Sequence, residues 1–300
     1  MKLAFLIAAH AHPGLLARLV ERLQSPENSI FIHIDRKVNV HPFEVALQER
    51  QLGGVYWVSR VRSDWGSFGQ VKASLALLRA AVEREPQAER IILLSGQDYP
   101  LMTPEKMATF FKDKSGVDYF TSAPLPWAEW TGNGGLDRLR RYHFFLGRYS
   151  FTYPNESKPG SRVARAAYKA CELLLPKGRA LPENIRFYGG SNWWSVTRKS
   201  AESILEFVKS NPAFAARFRF TSSADEIFFQ TALLNSASGP DIDNECLRYV
   251  LWDGRRNEYP AILRVEDFEG VAKSGKMFAR KMDSQYSLPL LDRIDKELLQ

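Results

Sequence analysis

Residues 3–37 read LAFLIAAHAHPGLLARLVERLQSPENSIFIHIDRK. Leu3 to Ala9 is a continuous apolar run, the pattern of a strand covered on both faces. The turn His10, Ala11, His12, Pro13, Gly14 ends it, and Leu15, Leu16, Leu19 and Leu23 then recur at helical spacing. A second apolar run, Ser29 to Ile34, stops at Asp35, Arg36 and Lys37. Strand, helix, strand, with polar residues gathered at the strand ends, predicts a doubly wound α/β sheet whose ligands bind at the carboxyl ends of its strands. Asp35 stands where a nucleotide base or ribose is met, and equally where an Asp makes a turn.

Working outward, Val55 to Val58 reads as a third short strand, followed by Ser63, Asp64, Trp65, Gly66, Ser67 and a helix with Val71, Leu75, Leu78 and Val82 on one face. Trp65 is either a lid over a flat ligand or a wedge closing the sheet. Ile91 to Leu94 is a fourth strand, ending in Ser95, Gly96, Gln97, Asp98, Tyr99 and Pro100. Nucleotide-sugar enzymes of this architecture often carry a metal-holding DxD at such a strand end, but here there is one acid. The triplet Asp241, Ile242, Asp243 beside Gly239 and Pro240 reads as a turn, so no metal site and no cofactor is expected.

From Ser122 to Pro159 the chain mixes Trp127, Trp130, Arg138, Arg140, Arg141, Tyr142, Phe144 and Phe145 with glycines. Such a stretch suits a substrate-facing insertion or a loop with its own small cluster. Ser161 to Leu175 is a basic amphipathic helix, a solvated face or a membrane-surface contact. In FYGGSNWW (187–194) the glycine pair lets backbone approach a ligand, while Asn192 and Trp193 offer a polar and a stacking group. A strand over Trp194 to Thr197, a helix from Ser200 and a strand over Leu247 to Trp252 follow. Between the last two lies RFTSSADEIFFQT (219–231), which puts Asp225 and Glu226 on a first helical turn. There Ser223 or Asp225 caps the helix and Glu226 complements its dipole, or Glu226 faces a cleft as a catalytic carboxylate.

The 300 residues, 45% hydrophobic and 12% aromatic, suffice for a sizeable core, and the net charge of +7 favours an anionic partner. Cys171 and Cys246 have neither metal-ligand nor disulfide-framework spacing, which fits a reducing compartment. The opening apolar run is too short to span a bilayer. A cytoplasmic protein is expected, one that the basic helix brings peripherally to the inner face of a membrane.

The motifs HIDRK (33–37), SDWGS (63–67), LSGQDYPL (94–101), GGSNWW (189–194), ADEIFFQT (224–231) and FARK (278–281), in this order, resemble the core 2 and I-branching β-1,6-N-acetylglucosaminyltransferase family, which also contains the peptide O-xylosyltransferases. The resemblance implies a single GT-A type, Rossmann-like domain over 1–300, mostly parallel in its central sheet, with a nucleotide-binding half (1–121) and an acceptor and catalytic half (122–300) that carries the aromatic, basic insertion. It implies an inverting, metal-independent transfer of GlcNAc or xylose from a UDP-sugar to a glycan, lipid-linked or peptide acceptor, as in bacterial surface glycan synthesis. Glu226 is then the base, Arg280 and Lys281 meet the diphosphate, and Asp35, Asp64, Trp65, Asn192 and Trp193 contact uridine and donor. Asn192 departs from the Asp of the xylosyltransferases, and the second phosphate-binding arginine has only Arg255 and Arg256 as nearby candidates. Asp98, Trp130 and Arg138 are expected at the acceptor. The alternatives are a basic nucleic-acid-binding module, which lacks any of the usual motifs, and a silent family member that binds glycans.

Overall fold

The computed structural model describes residues 1–147, 149–155, 162–254 and 258–300. The chain begins with β1 (Leu3–Ala9), α1 (Pro13–Leu23), β2 (Asn28–Ile34), α2 (His41–Glu49), β3 (Val55–Trp57), α3 (Phe68–Arg84) and β4 (Arg90–Ser95). Next come β5 (Tyr99–Pro100), α4 (Pro104–Asp113), β6 (Val117–Phe120), β7 (Ala123–Pro124), the single turn α5 (Thr131–Gly134), α6 (Leu136–Arg140), and the hairpin β8 (Tyr142–Leu146) and β9 (Tyr149–Tyr153). Then follow α7 (Arg162–Leu174), β10 (Tyr188–Gly189), β11 (Trp194–Thr197), α8 (Arg198–Ser210), α9 (Pro212–Arg217), α10 (Asp225–Leu234) and β12 (Asp241–Asp243). The rest comprises β13 (Arg248–Val250), α11 (Phe268–Lys273), β14 (Phe278–Arg280) and α12 (Leu288–Glu297).

Seven strands form one sheet in the order β12-β6-β11-β4-β1-β2-β3. Only β11 runs against its neighbours; the other pairs are parallel, so the mostly parallel α/β sheet read from residues 3–37 is the one the protein has. Period-two alternation sends Leu3, Phe5 and Ile7 of β1 to one face, against α1, α2 and α4, and Ala4 and Leu6 to the other, against α3, α8 and α10. With both faces covered, the strands need no polar residues, which is why β1 and β2 are continuous apolar runs. The chain leaves β1 towards β2 and β3, then returns through α3 to β4 on the other side of β1. The resulting crevice between β1 and β4 is the topological switch point where such sheets bind ligands.

A small second sheet, β13-β14-β5, grows from the end of β4 and brings residues 278–280 against residues 99–100. Its cover is α12, fastened to α1 by charge. Arg18 and Arg22 each place a terminal nitrogen 2.7 Å from Asp295, and the Tyr99 hydroxyl donates to the same carboxylate at 2.7 Å. These three donors outweigh the effect of burial and hold the Asp295 carboxyl below the usual range.

Two expectations change. Asp241 to Asp243 is a short edge strand rather than a turn, pairing in parallel with Val117 to Tyr119, because Ile242 packs onto the core. The strand expected over Leu247 to Trp252 covers only Arg248–Val250. The insertion makes a small cluster of its own, in which Phe144 stacks on Phe151 at 4.5 Å and tilts against Phe220 at 5.3 Å, and the same rings line a cleft. Residues 156–161 of that stretch, Arg148, and Arg255 and Arg256 lie outside the described residues. Both cysteines are free, and among the described residues no helix is long and apolar enough to cross a membrane.

Asp295→Ala strands two guanidiniums and a phenol in a half-buried site and is expected to cost about 3 kcal/mol. Asp292, also 2.7 Å from Arg18 but 71% exposed, is the control, and its alanine variant should cost less than about 1 kcal/mol. Urea unfolding of both variants checks the contrast; equal losses would show that the buried convergence carries no special weight.

Candidate active site

Asp98, just beyond β4 and wholly buried, accepts a hydrogen bond from the Ser95 amide at 2.8 Å. Its other oxygen lies 3.4 Å from Nη1 of Arg280. This corrects the expectation of an acceptor contact at Asp98: the carboxylate is sealed beneath Arg280, where it serves to hold that cation. Pairing of β14 with β5 sets Arg280 there, and the guanidinium spreads over the Trp193 ring, 4.3 Å from its centroid.

Arg248, on the neighbouring β13, is a second and deeper cation. It donates to the Leu93 and Cys246 carbonyls and lies 4.8 Å from the Phe278 ring. Burial pulls its pKa down while Asp98 pulls it back up. At the end of β1, desolvation lowers the pKa of His10 against the pull of Asp35, and Lys37, His12 and, least, Lys281 add to the lowering.

The opposite rim is built on β2. Asp35 is buried, and its Oδ1 accepts from the Lys37 amide at 2.9 Å. Lys37 Nζ lies 3.6 Å from Asp35 and 2.9 Å from Asp64. Burial alone would raise the Asp64 carboxyl, but Lys37 and Arg62 outweigh it and hold the group below the usual range. Trp65 is 86% exposed, so the wedge reading falls and a face free for stacking remains.

Between rim and base runs the segment 189–193. Gly190 sits so close to Thr121 that a Cβ there would lie 1.9 Å from the Thr121 carbonyl oxygen, and a Cβ on Gly189 would lie 2.6 Å from the Trp130 ring. The glycine pair therefore admits other parts of the protein, not the ligand expected from sequence. Held this way, the Gly190 amide donates to the Glu226 carbonyl at 2.9 Å, and the Asn192 amide nitrogen donates to Asp225 Oδ2 at 3.1 Å.

Neither Ser223 nor Asp225 caps α10; its N-cap is Ala224, without a side-chain bond. Asp225 turns inward, and burial with Glu226 beside it pushes its pKa up to about 7. Glu226, its side chain 38% exposed, meets Nη1 of Arg138 at 2.5 Å. Arg138 in turn lies over Trp130, 4.0 Å from the ring centroid. Trp130 and Arg138, expected at the acceptor, thus form a stack that orients Glu226. One face of Trp130 is already occupied by the guanidinium.

A cavity of about 650 Å³ lies beside this cluster. Arg62, Asp64, Ser67, Phe68, Lys72, His143, Phe144, Phe145, Phe151, Arg219 and Phe220 are among its lining residues. Among the described residues, no group of three or more His, Cys, Asp or Glu side chains is placed to hold a metal ion.

A family profile described as "Core-2/I-Branching enzyme" matches residues 3–272. The chain belongs to this family. Core-2/I-Branching relatives include xylosyltransferase 1 of Canis lupus familiaris, 22% identical over 98% of this chain and 30% of that protein. Beta-glucuronosyltransferase GlcAT14B of Arabidopsis thaliana is 24% identical over 99% of this chain and 66% of that protein. The chain thus spans less than two thirds of either relative. Among solved structures, S. aureus TarS 1-349 in complex with UDP aligns over 90% of this chain and 63% of that chain, at 13% identity and a TM-score of 0.37, too loose to place a site.

Within this Core-2/I-Branching chain the fold brings Arg280, Asp98 and Trp193 into one cluster, Asp35 and Asp64 into a second, and Asn192, Asp225, Glu226, Arg138 and Trp130 into a third. Sequence reasoning missed Arg248, which resembles an exposed residue of a short strand. It also missed Arg179, which pins the approach to α10 by donating to the Arg217 and Phe220 carbonyls.

Asp225 binds its proton more readily folded than unfolded, so between about pH 4 and about pH 7 folding takes up a proton and stability falls as pH rises, then levels off. Asp225→Asn abolishes this titration. The urea midpoint of the variant should gain on wild type in going from about pH 4.5 to about pH 8. A pH-independent difference would assign the titration elsewhere.

Proposed function

We propose that the protein transfers a sugar from a UDP-sugar to an acceptor hydroxyl with inversion at the anomeric carbon. Glu226 acts as base and Arg280 with Lys281 neutralises the departing UDP. Family membership supports the reaction class. The observation that carries the assignment of roles is the bridge made by two successive residues, with Asn192 bonded to the base-bearing turn of α10 and Trp193 lying under the Arg280 guanidinium.

An acceptor hydroxyl attacking in line must lose its proton as the bond forms, which calls for a carboxylate with one oxygen free and fixed. Arg138 holds Oε2 of Glu226, leaving Oε1 for the acceptor. The leaving diphosphate calls for charge at the opposite end. A guanidinium forks two phosphate oxygens and an ammonium adds a point charge, the service a divalent ion otherwise supplies. Asp98 neutralises Arg280 in the free protein without covering its outer face, since its own contact comes from the buried side. Trp65 and the Asp35, Lys37, Asp64 cluster are proposed for the uridine. GlcNAc and xylose are the donors implied by the resemblance, and the glucuronosyltransferase relative adds glucuronate.

Glu226→Gln should lower turnover by roughly 10²- to 10⁴-fold with UDP affinity changed less than about twofold. UDP release across a panel of UDP-sugars reads both the donor and the loss, and wild-type turnover in the variant removes Glu226 from the mechanism. In excess EDTA, turnover should persist. A loss restored by Mg²⁺ or Mn²⁺ would overturn the roles given to Arg280 and Lys281.

A further inference from the structure

The cleft of about 650 Å³ is of the size that holds a small-molecule ligand, yet it contains none of Asn192, Trp193, Arg280 or Lys281. Its walls are the β8–β9 hairpin on one side and the start of α3 on the other, closed by Arg219 and Phe220 from the turn leading into α10. Both flanks are tied to segments next to the proposed base. The Ser223 amide donates to the Gly66 carbonyl at 2.8 Å, joining the α10 turn to the loop before α3. His143 lies 3.3 Å from the Asp137 carbonyl, beside Arg138.

The lining has two characters. Phe68, Phe144, Phe145, Phe151 and Phe220 give apolar surface of the kind that sugar faces cover. Arg62, Lys72 and Arg219 supply three cations against the single carboxylate of Asp64, which is already shared by Arg62 and Lys37. Among the described residues Lys72 and Arg219 have no ion-pair partner and both are exposed. His143 adds no charge at neutral pH, because desolvation lowers its pKa. Two like charges facing one cavity without a counter-ion make it attractive to an anion.

We propose that this cleft is the acceptor subsite and that it selects an acidic sugar chain, with Lys72 and Arg219 pairing with the carboxylate or phosphate groups and the phenylalanines covering ring faces. The inference rests on the glycosyltransferase reading. An acceptor seated here lies beside the turn that leads to Glu226 and borders the proposed uridine cluster at Asp64, while Arg280 and Lys281 stay free for the diphosphate of UDP.

The test is calorimetric titration of the protein, saturated with UDP, by three tetrasaccharides: a neutral chitotetraose, a hyaluronan tetrasaccharide bearing carboxylates, and a maltotetraose phosphate. At least one acidic probe should bind about tenfold more tightly than chitotetraose, and the tighter of the two names the anion. Lys72→Ala combined with Arg219→Ala should erase that preference, as should raising salt beyond about 0.5 M, with UDP affinity changed less than about twofold. Equal binding of acidic and neutral probes overturns the inference. So does a parallel loss of UDP affinity in the double variant, which would make the cleft the donor site. Failure of the underlying reading has a different signature, namely wild-type protein that binds no UDP and hydrolyses no UDP-sugar.

Discussion

Asn192 and Trp193 are adjacent in the chain, and each is committed to a different part of the site. Asn192 is bonded to the buried carboxyl of Asp225, and Trp193 lies beneath the Arg280 guanidinium. Because the side chains of neighbouring residues diverge, two consecutive positions reach two elements, the first turn of α10 and the end of β14. The glycines ahead of them permit this. Backbone at Gly190 lies against Thr121 where no side chain fits, so the segment has one available path. A bulkier residue there would displace Glu226 and Arg280 together.

Two guanidiniums of the site share a pattern. Each is met by an opposite charge on one side and an aromatic face on another: Arg280 between Asp98 and Trp193, and Arg138 between Glu226 and Trp130. A guanidinium held in this way loses side-chain freedom before any substrate arrives, so the ordering cost is borne by folding rather than by catalysis. Asp225 is held differently. It is a carboxyl with an amide partner, and burial with Glu226 beside it outweighs the pull of Arg138, so it keeps its proton to near-neutral pH.

The parts of this arrangement that were legible in the sequence are those set by local or periodic pattern. Leu3–Ala9 reads as a doubly covered strand because seven successive residues are apolar, and α3 because its apolar residues recur at helical spacing. The edge strand β12 was hidden because only Ile242 carries an apolar side chain between two aspartates that resemble a turn. The direction of Asp225 could not be read, since it depends on Asn192, 33 residues away, and the local pattern of a capped helix is the same in either case. Asp98 was misassigned for a similar reason, because its partner Arg280 arrives from a strand far along the chain. Resemblance supplied what periodicity lacked, grouping the motifs into one site. It left unread the pairings of Trp130 with Arg138 and of Arg248 with its buried carbonyls.

The small sheet β13-β14-β5 also bears on how the protein is made. β5 and Asp98 emerge from the ribosome long before β14 and α12, which complete their hydrogen bonds and their ion pairs with Arg280 and Asp295. Until then the nascent chain carries β5 with a bare strand edge and Asp98 without its cation, the kind of edge that favours unwanted pairing. The contact of Arg280 with Asp98 and the cover over the small sheet are therefore among the last features to form, and their presence reports that synthesis has passed β14.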